Sequence, residues 1–288
     1  MSSFRVEPLP AILIEPLVRN ALLEDFGRAG DLTTDAIIPK SAVMSGRIAA
    51  RQAGTIAGTD AALIAFRLLD PAIQCSVDAP DGTQVKAGDS VISLRGSARA
   101  ILSAERVALN FASQLSGVAT ATATLVEAVR PHKTRVVCTR KTIPGLRSLQ
   151  KHAVRAGGGS NHRFGLDDAV LIKDNHVAVA GGIRPAIERV RESVGHLVKI
   201  EVEVDTLAQL EEVLRIGADA VLLDNMTPEQ MKEAVRMVNG RAITEASGRI
   251  TPANANAIAA AGVDLLSAGW LTHSAPVLDL GLDAEISQ

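Results

Sequence analysis

The sequence predicts an α/β protein whose second half is a parallel sheet covered by helices. From about residue 134, six short apolar runs alternate with amphipathic helical segments, which is typical of a parallel sheet with helices on its faces. Polar or small residues follow every run, from Arg140-Lys141 after the first to Ser267-Ala268-Gly269 after the last. A (β/α) barrel gathers the carboxyl ends of its strands at one mouth, whereas an open doubly wound sheet concentrates its chemistry at one or two switch points. The polar strand ends favour the barrel, and the open sheet is the alternative.

The first 115 or so residues have a more mixed pattern. Apolar residues at helical spacing, short alternating stretches and Asp-Gly or Gly-Asp turn signals predict a mixture of helices and strands there. The predicted elements, in order, are a helix over 16–26 that ends at Gly27, a polar loop over 28–35, short strands within 43–58 and 72–99, and a helix over 101–130.

The barrel elements follow from apolar runs and from helix caps. The predicted strands are 135–139, 169–172, 198–202, 220–223, 242–244 and 263–266, and the helices include 184–194, 207–216, 228–238 and 252–261. Pro228 and Pro252 each follow a threonine, the arrangement of an N-cap with proline at the first helical position. Gly217, Gly240 and Gly262 lie just past predicted helix ends, where C-capping glycines occur.

Composition excludes several classes of protein. The 288 residues are 47% hydrophobic and 22% charged, an ordinary globular balance that speaks against disorder. A net charge of −2 and only 2% aromatic residues disfavour a nucleic-acid partner. Two cysteines, Cys75 and Cys138, cannot build a disulfide framework or a four-cysteine zinc site. No apolar run approaches the ~18–20 residues of a membrane helix and we find no signal peptide, so we expect a cytoplasmic protein without a membrane partner.

The charge distribution is most unusual in residues 132–163, which hold eight lysines or arginines and no acidic residue. Together with Gly157-Gly158-Gly159, this basic stretch predicts a site for a small polyanion, bound by guanidinium groups and loop amides. A solvated basic surface and a nucleic-acid patch are the alternatives. Acidic residues return at strand ends with Glu203 and Asp224, where they could hold Mg²⁺ or sugar hydroxyls or simply pair with basic side chains.

Several motifs along the chain carry a family resemblance. The block 139–176 contains Thr139-Arg-Lys-Thr-Ile-Pro-Gly-Leu-Arg147, Gly157-Gly158-Gly159, Asn161-His162-Arg163 and Val170-Leu-Ile-Lys-Asp-Asn-His176. Supporting motifs along nearly the whole chain include Gly30-Asp31-Leu32-Thr33-Thr34, Ser103-Ala-Glu-Arg106, Glu201-Val-Glu203-Val204, Leu222-Leu-Asp-Asn225 and Glu245-Ala-Ser-Gly248. In this order, they resemble the quinolinate phosphoribosyltransferases. The departures are Ile143, His152, Ala156 and Trp270, of which Trp270 replaces a usually small residue beside a predicted phosphate loop.

The resemblance implies a specific fold and domain organisation. It implies an N-terminal α/β sandwich domain over residues 1–116 and an incomplete α/β barrel, with fewer than eight strands, over residues 117–274. Residues 275–288 form a C-terminal tail that we expect to pack back on the N-terminal domain.

The resemblance also implies a reaction. Quinolinate attacks C1 of 5-phosphoribosyl-1-diphosphate, diphosphate leaves, and the C2 carboxylate is lost as CO₂ to give nicotinate mononucleotide for NAD biosynthesis. The implied cofactor is Mg²⁺, held by Glu203 and Asp224 directly, through water or through substrate. Once alkylated, the cationic ring nitrogen stabilises the carbanion at C2, and Lys141 or His162 is the predicted source of its proton.

The same resemblance implies roles for the residues that follow the strands. Arg140, Arg163 and Lys173 bind the quinolinate carboxylates, with His162 and Lys141 near them, and Lys141 reaching the diphosphate is an open alternative. Lys141, Glu203 and Asp224 are the predicted catalytic residues. The full set of predicted substrate-binding residues is Arg106, Thr139, Arg140, Lys141, His162, Arg163, Lys173, Glu203, Asp224, Ala246, Ser247, Gly248, Ser267, Ala268 and Gly269. Ser247-Gly248 and Ala268-Gly269 are the predicted grip on the 5-phosphate, because small residues let backbone amides approach it.

The resemblance further implies a homodimer, or a hexamer of dimers, in which Arg106 enters the neighbouring subunit's site. Three alternatives remain open at this point. The first is a phosphoribosyltransferase with another acceptor, such as nicotinate. The second is a Schiff-base aldolase barrel with Lys173 as nucleophile. The third is a non-enzymatic protein that binds anions or nucleic acid.

Overall fold

The computed structural model describes residues 6–285 of the chain. Among those residues, no helix combines the length and the apolar character needed to cross a membrane. In chain order the elements are α1 (Ala11–Phe26), α2 (Leu32–Ile37), β1 (Val43–Ala50), β2 (Gly54–Thr55), α3 (Thr59–Leu69), β3 (Gln74–Val77), β4 (Gln84–Val85), β5 (Ser90–Ser97), α4 (Ala98–Val129), β6 (Arg135–Val137), α5 (Arg147–Ala156), β7 (Val170–Ile172), α6 (Asp174–Ala180), α7 (Ile183–Ser193), β8 (Ile200–Val204), α8 (Leu207–Ile216), β9 (Ala220–Asp224), α9 (Pro228–Val238), β10 (Ile243–Ser247), α10 (Pro252–Ala260), β11 (Leu265–Ser267), α11 (Trp270–His273) and β12 (Leu280–Glu285).

The chain divides into two compact units, each built from more than one stretch of the sequence. The first unit contains the chain up to Ala123, Thr142–Gly158 and the chain from Leu271 onward, and the second contains Thr124–Lys141 and Gly159–Trp270. The predicted boundary at residues 116 and 117 therefore lies inside the continuous helix α4.

The first unit is built on an antiparallel sheet in the order β12-β1-β5-β3. Strand β12 pairs with β1 from Ala50↔Leu280 to Gly46↔Ala284. Helix α3 belongs to the same unit and buries Phe66 completely. Sheet and helices together agree with the predicted α/β sandwich. The segment that leads to β12 runs close to helix α4, where a Cβ on Gly117 would lie 2.2 Å from the carbonyl oxygen of Pro276. Glycine is needed there for this close approach.

The second unit is a six-stranded parallel sheet in the order β6-β11-β10-β9-β8-β7. The first strand of the unit, β6, pairs with the last, β11, and the others follow one another in sequence. That cyclic order is the order of a barrel, and β6 and β7 are the two edges where the ring is open. The prediction of an incomplete α/β barrel is confirmed. An open doubly wound sheet would instead reverse its strand order near the middle.

Capping signals define the barrel helices closely. Helices α8 and α9 begin and end at the predicted residues, and α9 and α10 begin with proline after a threonine N-cap. The hydroxyl of Thr227 accepts from the backbone N–H of Gln230, which stabilises the first turn of α9. Gly217 caps α8. The C-cap of α9 is Asn239 in the left-handed region, one residue before the predicted Gly240.

Five helices, α2, α3, α5, α6 and α11, are absent from the predictions, and α1 differs most in extent from its prediction. The predicted polar loop over 28–35 contains the short helix α2, whose N-cap Asp31 accepts from the N–H of Thr34. Helix α3 lies between the predicted strand regions, and α5 lies inside the basic stretch. Helix α1 begins at Ala11 rather than at residue 16 and carries Pro16 internally.

Candidate active site

The strand ends of the second unit surround one cavity of about 280 Å³ at the barrel mouth. Each side chain arrives there because it lies at or after the carboxyl end of a parallel strand. Nine predicted residues line this mouth cavity: Thr139, Arg140, Lys141, His162, Arg163, Lys173, Glu203, Ser247 and Ser267.

Two arginines give the mouth cavity its positive character. The Nε of Arg140 is buried and has no hydrogen-bond partner among the described residues. Arg163 donates from Nη1 to the carbonyl oxygen of Ala169 at 2.9 Å. Burial lowers the pKa of the Arg163 guanidinium, and the nearby charge of Arg140 lowers it further. Two part-buried cations close together favour an anionic ligand, which would relieve both their repulsion and the unmet hydrogen bond.

Lys173 and Glu203 face each other across the cavity. Lys173 Nζ lies 3.9 Å from Glu203 Oε2, and the Lys173 side chain is 48% exposed whereas that of Glu203 is 15% exposed. A half-exposed lysine beside a carboxylate lacks the apolar pocket that would activate a Schiff-base nucleophile. Burial raises the pKa of the Glu203 carboxyl; Lys173 opposes the rise, while Asp224 and Asp174 add to it.

Asp224 does not line the mouth cavity but ends the adjacent strand β9. Its Oδ2 accepts from Nδ2 of Asn225 at 2.6 Å. Gly248 has a φ of +104°, and a Cβ there would lie 2.3 Å from Asn225 Oδ1. Any other residue at 248 would therefore collide with the side chain that holds Asp224.

The remaining predicted phosphate residues do not line the mouth cavity but adjoin Ser247 and Ser267, which do. Ala246 and Ala268 are buried. A Cβ on Gly269 would lie 2.8 Å from Cδ of Lys141, so glycine leaves room for the lysine side chain to pass. Trp270 donates from its indole N–H to the carbonyl oxygen of Ile250 at 2.8 Å, which fixes the ring beside this segment.

Arg106 lies in the first unit, on helix α4, and lines a separate cavity of about 330 Å³ there with Asp31 and Ser103. Asp31 accepts from the Ser103 hydroxyl at 2.7 Å, and this bond and others from Thr34 hold the pKa of Asp31 below its usual range.

Two site carboxylates were not predicted. Glu201 and Glu245 lie beside His162, whose Nε2 is 2.9 Å from Glu201 Oε2 and 3.8 Å from Glu245 Oε1. The sequence signal that could have identified Glu201 is its position two residues before Glu203 in one strand. That spacing places both side chains on the same face of the sheet. Glu245 is 1% exposed and lines the mouth cavity. It is a single acidic residue among small ones, so no periodic pattern in the sequence marks it as a site residue.

Comparison with known proteins agrees with this geometry. Residues 31–116 match the family described as quinolinate phosphoribosyl transferase, N-terminal domain, and residues 118–283 match its C-terminal domain. The chain is 44% identical over 276 residues to the nicotinate-nucleotide pyrophosphorylase [carboxylating] of Mycobacterium leprae, covering 92% of this chain and 95% of the relative. It is 41% identical over 274 residues to the probable enzyme of that name from Bacillus subtilis, covering 95% and 94%.

Solved structures give the same result. The nicotinate-nucleotide pyrophosphorylase of Francisella tularensis superimposes with a TM-score of 0.93 at 38% identity, over 99% of this chain and 100% of that one.

Proposed function

The chain belongs to the quinolinate phosphoribosyltransferase family, and from that premise we propose which of its residues bind each substrate and the metal. The reaction itself is the transfer of a phosphoribosyl group from 5-phosphoribosyl-1-diphosphate to quinolinate with loss of CO₂. It yields nicotinate mononucleotide and diphosphate. The observation that supports the division of roles is the pair of part-buried arginines in one mouth cavity, Arg140 with its unpartnered Nε and Arg163.

Quinolinate binds at the arginine side of the mouth cavity. Its two carboxylates pair with Arg140, Arg163 and Lys173. The unpartnered Arg140 Nε is a donor that a carboxylate oxygen satisfies. Charge-assisted hydrogen bonds of this kind contribute about 1.5–3 kcal/mol each. The dianion also cancels the repulsion between the two guanidinium groups, so binding of the acceptor stabilises the site as a whole.

The sugar donor lies toward the last strand ends. The backbone amides at Ser247-Gly248 and Ala268-Gly269 meet the 5-phosphate, as in other barrels that bind phosphate after their final strands. The crowding at Gly248 and Gly269 supports this arrangement, because only glycine leaves the backbone open there. Lys141, which passes over Gly269, binds the diphosphate or the acceptor, with Thr139 beside it.

Glu203 and Asp224 hold the ribose hydroxyls or Mg²⁺. The donor set fits the metal, since Mg²⁺ prefers carboxylate oxygens and two carboxylates here end adjacent strands. Burial and surrounding acids raise the pKa of Glu203, and a bound cation would favour its ionised form, which supports this assignment. When bound, Mg²⁺ supplies neutralisation of the charge that develops on the leaving diphosphate.

Removing the metal tests this assignment. Chelation with EDTA should abolish turnover, and added Mg²⁺ should restore it. Glu203→Gln should raise the Mg²⁺ concentration for half-maximal rate by about 10-fold, because one charged ligand is lost. Asp205→Asn, which removes a nearby exposed charge, is the control. Equal Mg²⁺ dependence in Glu203→Gln and the wild type would assign Glu203 to the sugar alone.

A homodimer with shared sites accounts for Arg106, which lines a cavity of the first unit rather than the mouth cavity. In the dimer, its guanidinium completes the anion site of the neighbouring barrel. The cytoplasmic location stays a prediction from the sequence.

A further inference from the structure

Glu245 forms the partition between two cavities of the barrel. The mouth cavity lies on one side of it, and a second cavity of about 360 Å³ lies at the opposite ends of the strands, where it is lined by Ile200, Ala220, Ile243 and Leu265. His162, Arg163 and Glu245 line both cavities. The Glu245 side chain, 2% exposed, is thus buried at the floor of the substrate site.

The hydrogen bonds of His162 fix its proton. The backbone N–H of Arg163 donates to His162 Nδ1 at 2.7 Å, so Nδ1 acts as an acceptor and carries no hydrogen. The proton of the ring is therefore on Nε2, which lies 2.9 Å from Glu201 Oε2 and donates to it. His162 is a neutral imidazole in this arrangement, and its proton points toward Glu201.

Glu245 is left without a countercharge. Its Oε1 is buried and accepts no hydrogen bond from any described residue, and the neighbouring imidazole is neutral. An ionised carboxylate in that position would cost several kcal/mol, so the neutral acid is favoured. Burial, followed by the charge of Glu201, raises the pKa of Glu245 to about 7; the Ser267 hydroxyl opposes the rise, as would His162 in its cationic form.

The same bonds argue against a metal in this cluster. The ligand atoms of His162, Glu201 and Glu245 lie within 4.8 Å of one another, a spacing that a divalent ion could span. However, Nδ1 already accepts a hydrogen bond, so a metal on Nε2 would require loss of the single ring proton and would leave an imidazolate anion. The cluster of His162, Glu201 and Glu245 is therefore suited to hold a proton rather than a metal ion.

The reaction needs one proton at a defined position. When the C2–carboxylate bond breaks, its electron pair stays on C2 and CO₂ departs. The resulting carbanion lies in the plane of the ring, at the position that the carboxylate has left. Unless a proton reaches C2 there, the carbanion recombines with CO₂.

We propose that Glu245 is the general acid that protonates C2 as CO₂ departs. Its O–H bond breaks, a C–H bond forms from the electron pair left on C2, and the Glu245 carboxylate regains a proton from water after product release. Glu245 lines the cavity next to Arg163, which binds a quinolinate carboxylate in the proposed function on which this inference rests. Both ring nitrogens of His162 are engaged, so its own proton is not directed at the substrate.

Other charged groups face the same space. Arg140, Lys141, Arg163 and Lys173 line the mouth cavity with Glu203. Bound quinolinate neutralises the cations among them, so the acid form of Glu245 is retained in the complex. A carboxylate at the cavity floor would repel the dianion, and a neutral acid avoids that repulsion.

Glu245→Gln tests the proposal, because glutamine keeps the size and polarity of the side chain but has no acidic proton. In a single turnover, the wild type should release diphosphate and CO₂ in equal amounts. Glu245→Gln should release diphosphate but form CO₂ about 10²-fold more slowly, and a mononucleotide that keeps both carboxylates should accumulate. Glu245→Asp should recover part of the CO₂ rate, and Glu233→Gln on the exposed face of α9 is the matched control.

The pH profile gives a second readout. The acid form of Glu245 is the active form, so wild-type kcat should fall as pH rises above about 7, and this limb should be absent in Glu245→Gln. Equal release of both products by Glu245→Gln, with the limb retained, would overturn the proposal and assign the proton to another donor such as Lys141. A wild-type enzyme that forms no CO₂ from quinolinate would contradict the function instead.

Discussion

Replacing Arg163 with alanine should weaken quinolinate binding roughly 10- to 100-fold, since the loss of one charge-assisted pair costs about 1.5–3 kcal/mol. The affinity for 5-phosphoribosyl-1-diphosphate should change by less than about 3-fold, because the proposed donor site lies toward the last strand ends. The two constants can be measured separately by calorimetry.

The control for this substitution is Arg184→Ala on the exposed surface of α7, where the arginine pairs with Glu188 four residues away. Arg163 also holds the carbonyl oxygen of Ala169, so thermal unfolding of both variants separates lost binding from a loosened loop. Unchanged quinolinate affinity in a folded Arg163→Ala protein would remove this residue from the acceptor site.

Mixing two inactive variants should restore activity if the sites are shared between subunits. Arg106→Ala and Lys173→Ala should each lower turnover by at least about 10²-fold, as expected when one charge-stabilising group is removed. In a heterodimer, the barrel with an intact Lys173 receives the intact Arg106 of its neighbour, and the other barrel carries both defects. One functional site of two gives about half of the wild-type activity per heterodimer.

The measurement uses differently tagged subunits, purified as the heterodimer after exchange. A mixture of Lys173→Ala with Arg140→Ala is the control, because both residues belong to one barrel and no intact site can form by exchange. Verified heterodimers of Arg106→Ala and Lys173→Ala that remain inactive would exclude the shared site.

The barrel was predictable because each of its elements carries a local signal. Helix α9 begins at Pro228 after a threonine cap and ends at Val238, the limits that the sequence predicts. Helix α5 was not predicted, since its basic residues dominate the pattern and its apolar positions, such as Leu149 and Val154, are few. The cyclic order of the strands depends on the pairing of β6 with β11, which no local sequence pattern encodes.

The residues of the candidate site also fall into those that the sequence predicts and those that it does not. Arg140, Lys173 and Glu203 follow or end strands, so their convergence at one mouth follows from the topology of a parallel barrel. The role of Glu245 depends on where the proton of His162 lies, and that is set by the backbone N–H of Arg163. Such a contact arises from the folded loop, and the residue types alone do not indicate it.

The most direct test of the account is a turnover assay with Mg²⁺ and 5-phosphoribosyl-1-diphosphate, in which quinolinate and nicotinate are supplied separately. CO₂ and nicotinate mononucleotide should form in equal amounts from quinolinate, and nicotinate should give no product, because in our proposal Arg140, Arg163 and Lys173 bind a second carboxylate. Product from nicotinate alone would keep the fold and the donor site but contradict the dicarboxylate site on which the account rests.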